Sequence, residues 1–159
     1  MLYITPHRAL RAALFLLAQL SACSDALQIR IAIGLGVAIS PGTINLSDAT
    51  GSAFEHSGRA LDKLRGSALL AIDGDGIGPY HRIIIRLLSE RCMRWTRDQA
   101  AAMAMHLHPD NPTLGDLAPR FGITPQAVNY RLTGAAATEI RASLQEWEAA
   151  ERTGPNDDA

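Results

Sequence analysis

Two side chains in the stretch LAPRFGITPQAVNYRL, residues 117–132, have the chemistry to read a nucleobase. The amides of Gln126 and Asn129 each carry a donor beside an acceptor, the pattern that pairs with both N6 and N7 of adenine. Arg131 can reach guanine or a phosphate, and Thr124 can hold a phosphate at a helix N-terminus. Ala127, Tyr130 and Thr133 fall on or near the same outward side, and Arg120, one helix earlier, is placed for a phosphate. These eight residues are the candidate DNA-binding set.

Such a set works only if one helix presents it and a second braces that helix. Leu117 and Phe121 have the spacing of an inner face, Ala118 suits a close helix contact, and Gly122 suits a turn that needs positive φ. Ile123 follows as a plug between the helices, Thr124 as an N-cap and Pro125 as the first residue of the second helix, where its missing N–H costs nothing. Val128 and Leu132 then face inward at i and i+4. The pattern predicts a helix-turn-helix over residues 113–133. A plain helical hairpin satisfies part of it, and charge weighs against tight binding, because Arg120 and Arg131 face Asp116 with no other ionised group between Thr113 and Thr133. Affinity for DNA must therefore draw on a second subunit or on the preceding basic run, where Arg82, Arg86, Arg91, Arg94 and Arg97 stand against Glu90 and Asp98.

No other constellation points to catalysis, a metal or a cofactor. His56 and Ser57 are neighbours on a helix and diverge, and Glu55 and Asp62 read as solvated charges. Asp73 and Asp75 open like a calcium loop, yet Ile84 stands at the twelfth position, where a bidentate Glu is required. The GLG at 34–36 lacks the third glycine of a dinucleotide loop. His106 and His108 lie two apart, which suits surface or cap positions better than a shared metal, and Cys23 and Cys92 have no CxxC spacing. The chain is expected not to be an enzyme.

The elements that must carry the DNA-binding set are legible in outline. With 47% apolar and 19% charged residues and a formal charge of −1, the chain is of a globular kind that attracts nucleic acid only through a local patch. Its 159 residues suit two small lobes. Residues 7–23 resemble a lipoprotein leader at Leu20-Ser21-Ala22-Cys23, but the apolar run is short and a strand follows at once, which favours a buried amphipathic helix through Leu10, Ala13, Leu14 and Leu17. No segment is long and apolar enough for a membrane span, and a cytoplasmic location is expected.

Residues 26–36 alternate as a strand, and 37–46 read as an extended partner turning back at Pro41-Gly42. Residues 50–66 set Phe54, Ser57, Leu61 and Leu64 at helical spacing, and 67–72 form a second buried strand. DGDGIGP at 73–79 reads as a linker between an α/β lobe, 1–73, and a helical lobe, 79–152. In the latter, helices are expected over 79–95, over 96–108 with a Thr96–Gln99 capping box, and over 135–152. The last carries Ile140, Leu144 and Trp147 as an apolar stripe, suited to a core or to an interaction or oligomerisation surface that would operate without DNA. Residues 153–159 are expected to be a disordered tail.

On IRIAIGLG (29–36), GSAFEHSGRALDKL (51–64) and the C-terminal helix pair, the chain resembles the SatD family of bacterial proteins. The front half is also similar in pattern to part of a nucleotide cyclase domain, with Gly51, Ser57 and Arg59 in comparable places. The resemblance implies an α+β fold, a small cyclase-like, ferredoxin-type α/β lobe followed by an all-α helix-turn-helix lobe. Family members begin with a further strand-rich segment that carries a Gly-Asp motif. This chain starts after it, so metal-held cyclase chemistry is not expected, and a sheet short of an edge strand predicts either a compensating homodimer or marginal stability.

Overall fold

The alternation at residues 29–35 becomes strand β1, Ile31–Leu35, with Ile33 and Leu35 buried. After a loop comes helix α2, Ser52–Lys63, and then strand β2, Leu70–Gly74, which pairs parallel to β1 with Ile33 opposite Ile72. Gly34 makes this packing possible: a Cβ there would lie 2.0 Å from the Ala53 carbonyl oxygen, so any larger residue would lift α2 off the sheet. Helix α3, Pro79–Met93, packs on β2, and Ser89 reaches from it to accept hydrogen bonds from the Leu69 and Leu70 N–H groups at 2.8 and 3.3 Å. The computed structural model describes residues 5–23, 29–40, 49–110 and 112–152.

The remaining elements are helical. Helix α1 spans Pro6–Cys23, α4 Arg97–His106, α5 Leu114–Phe121, α6 Pro125–Gly134 and α7 Ala137–Arg152. The protein is thus mixed α+β and mostly helical, with seven helices and a two-stranded parallel sheet among the described residues. In α1 the expected face is buried, with Leu10, Leu14 and Leu17 inaccessible. No helix among the described residues is long and apolar enough to cross a membrane.

The chain divides into two compact units, and the division differs from the expected one. Arg30–Met93 cluster with the start of the chain up to Ala9, whereas Leu10–Ile29 cluster with Arg94 onward. The DGDGIGP turn is therefore internal to the first unit. The physical reason is that α3 buries Ile85, Leu88 and Cys92 against the strand layer, while the apolar face of α1 sits with the C-terminal helices, where Arg11 pairs with Glu148 on α7 at 2.5 Å. Other expectations are refined. Leu61, set at helical spacing with Phe54, Ser57 and Leu64, is exposed, and Ala60 is the buried residue of α2. Of the expected partner stretch 37–46, Ser40 forms an isolated antiparallel bridge with Thr50, and 41–46 lie outside the described residues, as does the tail 153–159. His106 ends α4 and is half-buried, with its Nε2 inaccessible and without a hydrogen-bond partner among the described residues. His108 does sit at the surface, edge-on to Phe15 and 3.3 Å from Asp110.

Candidate nucleic-acid interface

Helix α5 begins with a reciprocal cap. The Thr113 hydroxyl accepts from the Asp116 N–H at 3.3 Å, and the Asp116 carboxylate accepts from the Thr113 N–H at 2.8 Å. The Thr113 hydroxyl also donates to the Asp116 carboxylate at 2.7 Å, and this bond first, then the one from the Thr113 N–H, holds the Asp116 carboxyl below its ordinary pKa. The helix ends where expected, at Gly122, whose φ of 64° and ψ of 31° are left-handed. There the Ile123 N–H donates to the Ala118 carbonyl at 3.1 Å and the Gly122 N–H to the Pro119 carbonyl at 3.2 Å, the two bonds of a Schellman stop. Thr124 then caps α6 by accepting from the Ala127 N–H at 3.2 Å, and Pro125 takes the first helical position.

Inward residues follow the spacing. Leu117 and Val128 are fully buried, and Ala118 and Leu132 nearly so, whereas Phe121 and Ile123 are half-buried. Helix α6 also packs on α4 and α7 within the same unit. Gly134 gives room for Gln99 of α4, since a Cβ would lie 2.4 Å from its Nε2, and the Trp95 indole N–H donates to the Ala135 carbonyl at 3.0 Å. So α6 is held from three sides.

What α6 leaves outside is polar and uncharged. Thr124, Gln126, Asn129, Tyr130 and Thr133 are exposed, Tyr130 by 72%, and Ala127 is half-buried beside them. Arg120 is exposed at the end of α5. Seven of the eight candidate residues are therefore at least partly open to a ligand. Arg131 does not join them. Its guanidinium lies 2.8 Å from the Asp98 carboxylate of α4 and 5.6 Å from the centre of the Phe121 ring, a clip between three helices. A carboxylate and an aromatic face hold its planar cation here, so the base or phosphate contact expected of Arg131 would have to compete with them.

Two of the preceding arginines are also engaged. Arg97 donates to the carbonyls of Ala22 and Cys23 at 2.8 and 3.2 Å, capping the C-terminus of α1. Arg82, Arg86 and Arg91 belong to the unit that does not contain α5 and α6, and Arg82 faces Asp73 at 3.9 Å. Sequence reasoning missed Asp98 as the partner of Arg131, and nothing in spacing along the chain joins residues 33 apart on different helices. The Thr113–Asp116 cap was detectable from its Thr-x-x-Asp spacing. No group of three or more potential metal ligands exists among the described residues. No protein-family model matches the chain, and no curated protein and no solved structure matches it either.

Proposed function

We propose that the chain is a cytoplasmic DNA-binding protein, a transcriptional regulator, in which α5 and α6 act as a helix-turn-helix and α6 enters the major groove. The observation that supports this best is the outward face of α6. Val128 and Leu132 anchor the helix, and Gln126, Asn129 and Thr133 project from the other side with no charge among them. An amide-bearing face on a rigid helix suits reading of base edges, where selectivity comes from paired donors and acceptors. Thr124 accepts from Ala127 and keeps its own O–H for a phosphate, and Arg120 supplies the nearby positive charge. The resemblance to SatD proteins belongs to the same proposal.

With Arg131 and Arg97 engaged inside the unit, one subunit brings little charge to the phosphates, so the reading includes a homodimer that doubles the contacts. The stripe Ile140, Leu144 and Trp147 is buried within its own unit and leaves no surface there for pairing or for a purely protein-docking role. The exposed apolar stripe is instead Tyr80, Ile83, Ile84 and Leu87 on α3.

Fluorescence anisotropy against fragments of the host genome at several salt concentrations tests the reading. Selective binding that weakens steeply with salt is expected. Asn129→Ala should lower preference for the selected site by roughly ten-fold, in line with the ~1–3 kcal/mol of a bidentate base contact, and Arg120→Ala should weaken all sequences alike. Equal loss on selected and random DNA for Asn129→Ala would remove the base-reading role.

A further inference from the structure

Arg82, Ile85, Arg86 and Ser89 recur at helical spacing on α3, so they line one side of that helix and border a common cleft over β2. The C-terminal half of α2 forms the other wall with Lys63 and Leu64. The cavity between them measures about 770 Å³, a size that suits a small organic molecule. Its interior is apolar, with Leu64, Leu70 and Ile85 all buried.

The rim is cationic beyond what its carboxylates neutralise. Lys63, Arg65, Arg82 and Arg86 border the cleft against Asp73 and Glu90, and Asp73 is already 4.0 Å from Lys63, 3.9 Å from Arg82 and 3.7 Å from Arg59, which also lies 3.9 Å from Glu55. Arg86 forms no ion pair with a described residue. Ser89 adds a separate signal. It is 3% exposed, its Oγ accepts from two backbone N–H groups, and its own O–H donates to no described residue. A buried hydroxyl proton without an acceptor is costly, and an acceptor in the cleft would satisfy it.

We propose that this cleft binds an organic carboxylate with an apolar body, of the kind a medium-chain fatty acid represents. The chain of the ligand lies along Leu64 and Ile85, and its carboxylate takes hydrogen bonds from Arg86 and from Ser89. Removal of the apolar body from water contributes affinity, and the guanidinium selects the charged head. This site lies wholly in the first unit and stands independently of the DNA reading.

Isothermal titration of the full chain with octanoate, with octan-1-ol as the uncharged control, tests the proposal, and amide chemical shifts locate the ligand. One site is expected, at least ten-fold tighter for octanoate, with shifts over residues 60–72 and 82–93. Arg86→Gln, at an exposed position that bears no ion pair, should weaken octanoate at least five-fold and leave octan-1-ol unchanged. Met93→Glu, which sets a negative charge on the exposed lip of the cleft, should weaken octanoate by a similar factor. No binding at millimolar octanoate, equal affinity for the alcohol, shifts elsewhere, or full octanoate affinity in both variants would overturn the assignment.

Discussion

The Arg131 guanidinium of α6 meets the Asp98 carboxylate of α4 at 2.8 Å, a tie between two helices that already pack on each other. Asp98 is 67% exposed and Arg131 24%, so the ion pair is partly screened and contributes about 0.2–1 kcal/mol. The Phe121 face adds a comparable amount, about 0.5–1 kcal/mol.

Arg131→Ala is accordingly expected to destabilise the chain by about 1 kcal/mol and to lower DNA affinity on all sequences in proportion. Asp98→Asn should do about half of this. Urea unfolding followed by circular dichroism, beside anisotropy, checks both. Unchanged stability with an altered base preference in Arg131→Ala would return that residue to the reading set.

The two turns that flank α6 predict opposite outcomes for one pair of substitutions. Gly122 has φ 64° with nothing within 4 Å of an added Cβ, so Gly122→Ala meets backbone strain alone and should destabilise by about 1–2 kcal/mol. Ala136 already occupies this region at φ 60°, so Ala136→Gly should be neutral or stabilising, by up to about 1 kcal/mol. Thermal midpoints of the two variants measure the contrast. A stabilising Gly122→Ala would contradict the left-handed turn.

Acid should loosen the second unit through His106. Burial foremost, then the positive charges of Arg141 and Arg11, hold its imidazole below the ordinary value of 6.5. The unfolded chain therefore takes up the proton at higher pH than the folded one. The contribution of His106 is full above about pH 6.5 and is lost as pH falls through the lower, folded-state value. Stability measured from pH 7.5 to 5 should fall more steeply in the natural chain than in His106→Gln. Parallel slopes would show that the imidazole is not the group responsible.

The two thiols should differ in reactivity by orders of magnitude. Cys23 is exposed at the end of α1, whereas burial pushes the Cys92 thiol up to about 12, against a smaller opposing effect of Arg91. An aromatic disulfide reagent at pH 8 is expected to titrate one thiol per chain promptly and the second only in denaturant. Two fast thiols would place Cys92 at the surface.

Local signals carried the sequence reading wherever a residue acts on its neighbours. Gly122, Thr124 and Pro125 set the turn and start of α6 because caps and left-handed glycines act within a few residues. Thr96 and Gln99 likewise mark the start of α4, and the spacing of Val128 and Leu132 settles which side of α6 is buried. The fate of Arg131 depended on Asp98, and that of Arg97 on the carbonyls ending α1, more than seventy residues away in the chain. The break between α6 and α7 is of the same kind. Residues 134–138, Gly-Ala-Ala-Ala-Thr, hold three strong helix formers, yet the helix breaks at Ala136, whose φ of 60° is left-handed, beside buried Ala135, whose carbonyl accepts from the Trp95 indole. The division into units was equally a tertiary outcome. The DGDGIGP turn looks like a linker locally, but whether a turn separates two cores depends on what the helix after it buries, and α3 buries Ile85, Leu88 and Cys92 in the first unit. Sequence determined where the helices of the candidate interface begin, end and face. Tertiary structure decided which of their charged side chains remain available to a ligand, because a guanidinium is held by whichever carboxylate, carbonyl or ring the fold brings to it.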